Sequence, residues 1–313
     1  MTPIISVVIT THNRASLLKN CLESLCSQTY DQALYEIIVV DNCSTDDTWE
    51  TVKAFDNQCR IYYFVENQLG MNFARNLGLK ESQGEYVAYI DDDAKAAPNW
   101  LEVAARELTC IVPVIDCLGG PIFPYYTSPK PEWFKDRYEI RRDWKTSRYL
   151  KTGKSFSGSN MIWRKEVLFE LGGFDTDHGV IGDELRLGGE TIVFSKIWDA
   201  FKNPQLYYSP DLLVYHWVPP QKMKVNYRLK RTFANGQTMG KIETRNFNLF
   251  QKIKYFFNHG KWSVLNIGRA FIHVGRHHRV QNWVIEELGP ILEEFGKAIA
   301  ILRIYPRIRQ EPI

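Results

Sequence analysis

The chain has 313 residues with an ordinary globular composition, 44% hydrophobic and 24% charged, and a formal net charge of +3. It contains no apolar run long enough to span a membrane, and no charged-then-apolar signal peptide precedes Ile4. The six cysteines show neither metal-ligand spacing nor a paired framework. These features argue against a membrane-spanning or disulfide-scaffold protein and predict a cytoplasmic protein with free thiols.

The charge is distributed unevenly along the chain. Residues 221–313 carry 17 Lys+Arg and 6 Asp+Glu, a net of +11, whereas residues 1–220 carry 22 and 30, a net of −8. We therefore predict one domain over residues 1–220 and a basic, aromatic-rich extension over residues 221–313. Such an extension contacts an anionic membrane surface or an anionic acceptor, or it is simply a solvated helical face.

Hydrophobic patterning in the first hundred residues predicts alternating strands and helices. The predicted strands are residues 4–9, 35–40, 61–65 and 86–90, and the predicted helices are residues 15–27, 48–55 and 70–79. This order indicates a mainly parallel sheet with helices on both faces. In such sheets, ligands bind beyond the carboxyl ends of the strands.

Polar side chains stand at three of these strand ends, namely Thr10 with Thr11, Asp41, and residues 91–93 (Asp-Asp-Asp). Three adjacent carboxylates repel one another unless a cation neutralises them, and a hard divalent ion does so while bridging to a substrate phosphate. Taken alone, the acidic triplet is equally well a solvated turn before Pro98. Because the three polar ends share one edge, the sequence predicts a nucleotide-type site. The chain has neither a GxGxxG nor a GxxxxGK[ST] motif, so it is neither a dinucleotide fold nor a P-loop protein.

Four motifs, in this order, resemble the family 2 glycosyltransferases, which are inverting enzymes with a GT-A fold. They are residues 6–14 (SVVITTHNR), 39–46 (VVDNCSTD), 67–70 with 74–78 (NQLG and ARNLG), and 90–93 (IDDD). The resemblance covers residues 1–220. It implies an α/β architecture with a mainly parallel nucleotide-binding sheet flanked by helices, followed by a C-terminal helical extension.

The resemblance also implies a nucleotide pocket. Thr11 and Asn13 would line it at the end of the first strand, and Asp41 would accept a hydrogen bond from the base, most often uracil. Gly70 and Arg75 would line the same side. Each residue also has a purely structural interpretation. Asp41 is typical of a turn or a helix cap, Gly70 is typical of a turn, and Arg75 is typical of an exposed helix surface.

The metal site implied by the resemblance combines a carboxylate with an imidazole. Asp93 would ligate the ion, and Asp91 or Asp92 would approach the ribose. His216, at the end of a strand that runs into Pro219, would complete the metal and diphosphate site. Imidazole suits Mn²⁺, and Mg²⁺ is the more oxygen-preferring alternative.

Glu190 is the predicted general base. In the resembling family, a carboxylate at this place precedes a helix, and a helix N-terminus stabilises the anionic form that a base requires. Helices also favour Glu there without any catalytic role. Thr191 departs from the acidic pair of many members, and the neighbouring Asp183 and Glu184 are rivals for the role.

Two further segments complete the predicted domain. Residues 111–122 indicate a buried strand and turn. Residues 124–154 have little periodicity, which is typical of a functional loop. Trp133 and Trp144 in this loop are candidate sugar-stacking surfaces, although such side chains more often simply pack in a core.

The extension is predicted to be helical at residues 225–235, 249–258, 261–273 and 281–302. Aromatic and basic residues alternate over residues 252–257, a pattern that suits a helix on a membrane interface. The alternative is a helical subdomain that packs its aromatic side chains on the core.

These features predict a metal-dependent inverting hexosyltransferase using a nucleotide sugar, UDP-linked, and a glycan or glycolipid acceptor in cell-envelope polysaccharide biosynthesis. It would work in the cytoplasm or peripherally on the inner face of an anionic membrane, without nucleic acid. One alternative is a nucleotidyltransferase, which usually needs a Gly-rich, basic loop that residues 10–14 lack. Another is a non-catalytic sugar- or membrane-binding relative, against which Asp93, Glu190 and His216 argue.

Overall fold

The computed structural model describes residues 4–176 and 188–300. The strands in these residues are β1 (Ile5–Thr11), β2 (Tyr35–Asp41), β3 (Ile61–Val65), β4 (Tyr86–Tyr89), β5 (Ala94–Ala96), β6 (Cys117–Gly119), β7 (Ile122–Tyr125), β8 (Arg148–Tyr149), β9 (Met161–Arg164), β10 (Leu206–Tyr208) and β11 (Val214–Trp217). The α-helices are α1 (Ala15–Cys26), α2 (Thr48–Lys53), α3 (Met71–Glu81), α4 (Trp100–Cys110), α5 (Lys165–Glu170), α6 (Gly189–Ala200), α7 (Val225–Thr244), α8 (Leu249–Ile272), α9 (Val280–Trp283) and α10 (Gly289–Ile299). Short 3₁₀ turns occur at Gln32–Leu34, Asp136–Tyr138, Pro220–Met223 and Val274–Arg276, and a π-helical turn at Val284–Leu288 joins α9 to α10.

The central element is an eight-stranded sheet in the order β3-β2-β1-β4-β9-β6-β10-β8. Strands β3, β2, β1 and β4 are parallel neighbours, and β6 and β10 are also parallel, whereas β9 and β8 run antiparallel to their neighbours. Strands β1, β2 and β4 are buried nearly throughout, because helices cover both faces of the sheet. The predicted α/β architecture and the first four strands are confirmed.

Side chains alternate between the two faces of the sheet, as the pleat of a strand requires. Val7 and Ile9 of β1 pack on the face covered by α1 and α4, with Leu22 and Trp100. Val8 points to the opposite face, where helices α3, α5 and α6 pack. The sheet is therefore a middle layer, and its strand ends are the part left free for a site.

A second, three-stranded sheet has the order β5-β11-β7. Asn160, fully buried, connects it to the rest of the fold. Its amide nitrogen donates to the carbonyl oxygens of Pro121 and Leu212, and its side-chain oxygen accepts from Trp100 Nε1. These bonds fix the small sheet beside the end of β4.

The C-terminal helices form a packed unit in which α10 contacts both α7 and α8. The α7–α10 contact is close because small residues meet there. A Cβ atom at Gly236 would lie 2.0 Å from the carbonyl oxygen of Glu293, so no larger residue fits without a shift. Among the described residues, no helix is long and apolar enough to cross a membrane.

Three local predictions are wrong. Residues 111–114 form a largely exposed connection rather than a buried strand, with Val112 88% exposed beside Pro113, whose ring removes a backbone donor. The predicted helices 249–258 and 261–273 are one helix, α8, because Gly260 weakens a helix without ending it. Helix α7 likewise continues nine residues beyond its predicted end at residue 235, to Thr244.

The prediction of free thiols is also wrong for two of the cysteines. Cys26 and Cys59 form a disulfide with an S–S distance of 2.05 Å. The end of α1 and the turn before β3 pack side by side, which places the two Cα atoms 5.5 Å apart, within bridging range. The remaining cysteines are free thiols, namely Cys21, Cys43, Cys110 and Cys117.

Candidate active site

The carboxyl ends of β1 and β4, together with β11, border a cavity of about 310 Å³. The pairing of β11 with β5 places His216 opposite Ala94, the residue that follows the acidic triplet. Helix α6 and the start of α7 close the cavity on the other side. Eight of the predicted site residues line it, and they are Thr11, Gly70, Arg75, Asp91, Asp92, Asp93, Glu190 and His216.

Asp91, Asp93 and His216 form a group with the chemistry of a metal site. One ligand atom from each lies within 4.8 Å of the others. His216 Nε2 lies 3.2 Å from Asp93 Oδ1 and 3.5 Å from Asp91 Oδ2. Octahedral coordination at about 2.1 Å separates neighbouring ligand atoms by about 3 Å, so these donors fit Mn²⁺ or Mg²⁺. Asp91 is thus a third candidate metal ligand, beside the predicted ligands Asp93 and His216.

Asp92 has a different environment, because it faces the end of β1. Its carboxylate accepts from Thr11 Oγ1 at 2.9 Å and from Arg14 Nη1 at 3.1 Å. The same guanidinium nitrogen lies 3.5 Å from Asp93 Oδ2. Arg14 therefore compensates part of the negative charge of the triplet.

The neighbouring carboxyl groups have opposite pKa shifts. Burial tends to raise the pKa of Asp91, but hydrogen bonding to His216 and the charge of Arg75 outweigh it and hold the pKa below its usual range. For Asp92, burial and the charge of Asp93 outweigh the effect of Arg14 and raise the pKa to about 6. The division arises because hydrogen bonding and charge outweigh burial at Asp91 but not at Asp92.

Asn13 and Asp41 lie beside the cavity and do not line it. The carboxylate of Asp41 accepts from the backbone N–H of Ser44 and from the hydroxyl of Tyr63. Asn13 adopts a left-handed conformation, with φ +52°, and accepts from the backbone N–H of Thr45. Both residues thus hold the turn after β2.

Asn42, in that turn, lines the cavity and orders its next wall. Its side-chain oxygen accepts from the N–H of Gly70 at 2.7 Å, and its amide donates to the carbonyl oxygens of Glu66 and Gln68. Gly70, with φ +149°, begins α3 in a conformation that other residues rarely adopt. The backbone of Gly70 is therefore fixed at the edge of the cavity.

Arg75 on α3 is buried rather than on the helix surface. Its guanidinium lies over the ring of Phe174, and Nη2 is 3.4 Å from Asp91 Oδ1. Nη1 is buried without a hydrogen-bond partner. A Cβ atom at Gly158 would lie 2.7 Å from Nη2, so a glycine is required for this packing. Arg75 retains an unused donor in a site that already contains carboxylates.

Glu190 lies in the first turn of α6, which follows Gly188 in a left-handed conformation, with φ +98°. It is half-buried and lines both this cavity and an adjoining one of about 420 Å³. The rival residues Asp183 and Glu184 lie outside the described residues. Glu190 thus stands where two binding spaces meet.

Several cationic residues that the sequence analysis missed also line the cavity, namely Arg14, Arg141, Lys222 and Arg231. Lys222 Nζ lies 3.9 Å from Asp93 Oδ2. Burial and the nearby charges of Arg231 and Arg141 lower its pKa, and Asp93 opposes them. Lys222 and Arg231 belong to the basic extension, where sequence alone does not distinguish a site residue from a solvated one.

The loop over residues 124–154 supplies Arg141 to the cavity, but its two tryptophans do not face it. Trp133 packs against Phe134 and Tyr138, and Trp144 packs edge-on against Tyr208. Neither lines either cavity. Both side chains take part in packing the loop, and their role as sugar-stacking surfaces stays a prediction.

The comparison with protein families matches residues 6–170 to the model "Glycosyl transferase family 2". Glycosyltransferase AglE of Haloferax volcanii is 29% identical over 189 residues, which are 59% of this chain and 60% of that protein, less than two thirds of its length. The glucosyl-dolichyl phosphate glucuronosyltransferase of the same organism is 26% identical over 239 residues, 74% of this chain and 75% of that protein. Validoxylamine A glucosyltransferase of Streptomyces hygroscopicus is 35% identical over 213 residues, 59% of this chain and 50% of that protein.

Solved structures agree with these relatives in fold. The mannosyltransferase PcManGT from Pyrobaculum calidifontis, in complex with GDP-Man and Mn²⁺, superposes with a TM-score of 0.64 at 19% identity, covering 97% of this chain and 88% of that chain. S. aureus TarS 1–349 in complex with UDP gives a TM-score of 0.56 at 15% identity, covering 96% and 91%. The chain belongs to glycosyl transferase family 2 and has the GT-A fold.

Proposed function

We propose that the chain is a metal-dependent, inverting glycosyltransferase that moves a sugar from a UDP-linked donor to an acceptor hydroxyl. The observation that carries the proposal is that Glu190 and the Asp91–Asp93–His216 group line one cavity. Solved relatives of the same fold bind UDP, UDP-GlcNAc, or GDP-Man with Mn²⁺, which supports a nucleotide-sugar donor.

In this proposal, Glu190 removes the proton of the acceptor hydroxyl as its oxygen attacks the anomeric carbon from the side opposite the diphosphate. The new glycosidic bond forms as the bond to the diphosphate oxygen breaks, so the anomeric configuration inverts. A Mn²⁺ or Mg²⁺ ion, when bound, would supply positive charge beside the leaving diphosphate. Asp91, Asp93 and His216 would hold that ion, and Lys222 lies close enough to contribute a positive charge to the same phosphates.

We assign the nucleotide side of the donor to Thr11, Asn13, Asp41, Gly70, Arg75, Asp91 and Asp92. Thr11, Gly70 and Arg75 would act directly, since they line the cavity. The unpartnered Nη1 of Arg75 is a donor that a nucleotide sugar would satisfy. Asn13 and Asp41 hold the turn that borders the cavity, so their effect on the base would pass in part through that turn.

We propose that the chain divides near residue 220, into the GT-A domain of residues 1–220 and the helical extension of residues 221–313. In the described part of the chain, the last strand ends at Trp217 and only helical segments follow. Arg231 and Lys222 of the extension nevertheless line the cavity. The extension would therefore complete the active site, and a chain truncated after residue 220 would lack these two cations.

The acceptor would be a glycan or a glycolipid, and helix α8 supports a glycolipid at a membrane surface. Six exposed apolar side chains of α8 recur at intervals of three, four and seven residues, so they lie on one side of the helix. We call this surface the apolar face of α8. It consists of Phe250, Ile253, Phe257, Val264, Ile267 and Phe271. A contiguous exposed apolar face of this kind marks an interaction surface. One relative is named for a lipid-linked acceptor, glucosyl-dolichyl phosphate, which is consistent with this reading.

The charge on α8 favours an anionic lipid surface as the partner of the apolar face. Helix α8 carries Lys252, Lys254, Lys261 and Arg269 and contains no Asp or Glu. Basic residues that flank an apolar face are attracted to anionic headgroups. Pairing of two copies of α8 would instead bring like charges together, which is unfavourable. We therefore propose peripheral contact with an anionic membrane.

The test of the proposed reaction is the variant Glu190→Gln, which keeps the shape of the side chain and removes the base. We expect transfer to fall by about 10²–10⁴-fold while Mn²⁺-dependent binding of UDP, followed by thermal stability, stays near that of the wild type. The matched control is Glu170→Gln, a change at an exposed position on α5. Wild-type turnover in Glu190→Gln would refute the assignment of the base, and NMR of the product would establish whether the anomeric configuration inverts.

A further inference from the structure

The second cavity, of about 420 Å³, lies between α7 and the loop that carries Arg141 and Arg142. It shares part of its wall with the donor cavity, including Glu190, Arg141 and Arg231. A molecule in this space would reach Glu190 from the side away from the acidic triplet. That is the direction from which an acceptor must approach if Glu190 is the base.

The wall of this cavity carries more positive charge than its carboxylates balance. Four arginines line it, and they are Arg141, Arg142, Arg228 and Arg231. Two carboxylates, Glu190 and Glu293, also line it. Glu139, outside the lining, is hydrogen-bonded to Arg228 and lies 3.5 Å from Arg231 Nη1.

Arg141 and Arg142 have no such partner. Among the described residues, no carboxylate lies within ion-pair distance of either. Arg141 donates one hydrogen bond, to Ser157 Oγ at 2.6 Å, and Arg142 lies over the ring of Trp144 at 5.1 Å. Burial lowers the pKa of both groups, and the charge of Arg231 adds to this for Arg141. Glu139, Asp91 and Glu190 oppose these effects for Arg141, but none of them pairs with it directly. An anion bound between the two guanidinium groups would therefore offset part of the cost of burying their charge.

The donor diphosphate accounts for only part of this charge. Arg14, Arg75 and Lys222 line the donor cavity without lining the second one, and each lies beside a carboxylate of the acidic triplet, next to the place proposed for the diphosphate. Arg142 and Arg228 line the second cavity only. The positive charge of the second cavity is therefore available to a ligand other than the donor.

We propose that the second cavity binds the acceptor and that the acceptor carries a phosphate group, held by Arg142 together with Arg141 and Arg231, with its reacting hydroxyl at Glu190. This inference rests on the proposed function, because it takes Glu190 as the base. Planar guanidinium groups bind phosphate oxygens in bidentate pairs, which would also orient the hydroxyl. The phosphate would belong either to a soluble sugar phosphate or to a lipid-linked sugar.

The experiment measures binding of acceptor analogues while the donor site is saturated with UDP and Mn²⁺. The probes are glucose 1-phosphate, decyl glucosyl phosphate and uncharged methyl glucoside, and calorimetry gives their dissociation constants. We expect both phosphate-bearing probes to bind and methyl glucoside to bind at least about tenfold more weakly. Stronger binding of the decyl compound would indicate a lipid-linked source, and equal binding of the two phosphates a soluble one.

The variant Arg142→Gln tests the contact itself. We expect it to weaken binding of both phosphate probes by about tenfold or more, which corresponds to the loss of one charge-assisted hydrogen bond, and to leave methyl glucoside unaffected. The matched control is Arg148→Gln, since Arg148 also lies over Trp144 but does not line the cavity. Thermal stabilisation by UDP and Mn²⁺ should be unchanged in both variants.

Three results would overturn the proposal. The first is equal binding of charged and uncharged probes to the wild type, and the second is equal binding of the phosphate probes by the Arg142→Gln and Arg148→Gln variants. Competition between glucose 1-phosphate and UDP would place the anion in the donor cavity and would also refute it. If the wild type does not bind UDP with Mn²⁺ at all, the proposed function itself is refuted. Failure of the proposed function is thus distinguishable from failure of the acceptor proposal.

Discussion

His216 Nε2 lies 3.2 Å from Asp93 Oδ1, although Asp93 follows a strand of the eight-stranded sheet and His216 belongs to the three-stranded sheet. The antiparallel pairing of β11 with β5 sets this distance, because it aligns His216 with Ala94. The acidic triplet supplies only two of the three candidate ligands, and His216 comes from a distant part of the chain. The candidate metal site is thus a product of the way in which the small sheet packs on the large one.

If this group holds the metal, Asp93→Asn and His216→Ala should each weaken metal binding. We expect the Mn²⁺-dependent rise in melting temperature with UDP to disappear in Asp93→Asn and to need at least about tenfold more Mn²⁺ in His216→Ala, because fewer ligands remain. Differential scanning fluorimetry over a Mn²⁺ titration measures both. The control is Asp211→Asn, an exposed carboxylate near Arg106. An unchanged Mn²⁺ titration in Asp93→Asn would contradict the assignment.

Because the apolar face of α8 is exposed, we expect the protein to bind lipid vesicles. Phe250 is 75% exposed and Phe257 64% exposed, and each would contribute about 1.5–3 kcal/mol on burial in a membrane interface. The double variant Phe250→Glu/Phe257→Glu should therefore reduce cosedimentation with phosphatidylglycerol vesicles by about tenfold or more. Phosphatidylcholine vesicles should bind the wild type weakly, since the basic residues then lack a partner.

A matched control separates the α8 surface from general exposure of phenylalanine. Phe169 on α5 is 49% exposed and lies outside the C-terminal helices. The variant Phe169→Glu should bind vesicles like the wild type. Equal binding by the double variant and the wild type would argue against a membrane role for α8, and a concentration-dependent dimer that is lost in the double variant would identify a second copy of the chain as the partner.

We expect replacement of Asn160 to lower the stability of the fold strongly. Asn160 is fully buried, and replacing it by Leu leaves the carbonyl oxygen of Leu212 and the indole N–H of Trp100 without partners and removes one of the two hydrogen bonds to the carbonyl oxygen of Pro121. Each lost partner costs about 1–3 kcal/mol, so Asn160→Leu should lower the free energy of unfolding by about 3 kcal/mol or more. Urea denaturation measures the change, with the exposed Asn203→Leu as the comparison. A loss below about 1 kcal/mol would show that these bonds do not hold the small sheet in place.

The sequence predicted the parts of the fold that depend on local patterning. Strands β1 to β4 could be predicted because runs of β-branched residues alternate with helical spacing, and the acidic triplet could be predicted because it follows a buried strand directly. The disulfide between Cys26 and Cys59 could not, since no spacing signals that α1 ends beside the turn before β3.

The candidate site shows the same division. Asp93 and Glu190 carry local signals, a strand end and a helix start, and both line the cavity. Lys222 and Arg231 line the cavity because the turn Pro220–Met223 and helix α7 pack beside it, and their sequence context gave the same signal as a solvated basic helix. Trp133 packs in a local aromatic cluster, which sequence patterning did not distinguish from an exposed ring.

We expect the ionisation of Glu286 to make the free energy of unfolding depend on pH. Its carboxylate, in the turn between α9 and α10, accepts from Lys135 Nζ at 2.7 Å and Tyr138 OH at 2.5 Å and pairs with Arg137 Nη2, and His277 Nδ1 lies 3.7 Å away. Burial tends to raise the pKa of Glu286, but the hydrogen bonds to Lys135, Tyr138 and Arg137 outweigh it and lower the pKa to about 2. Glu286 is thus one of several residues that attach the C-terminal helices to the loop of residues 124–154, together with Arg228, which pairs with Glu139, and Asn282, which donates to the carbonyl oxygen of Trp133.

A carboxyl group with a lowered pKa stabilises the folded state above its ordinary pKa of 4.5, and this contribution is lost as the pH falls from 4.5 through about 2. We therefore expect Glu286→Gln to lower the free energy of unfolding by about 1–3 kcal/mol at pH 7, with a smaller difference from the wild type at pH 3. Urea denaturation at both pH values measures it, with Glu170→Gln as the control. Because protonated His277 would favour ionised Glu286, the comparison is repeated in a His277→Gln background. A difference that is the same at pH 7 and pH 3 in both backgrounds would show that the charge of Glu286 does not hold this contact.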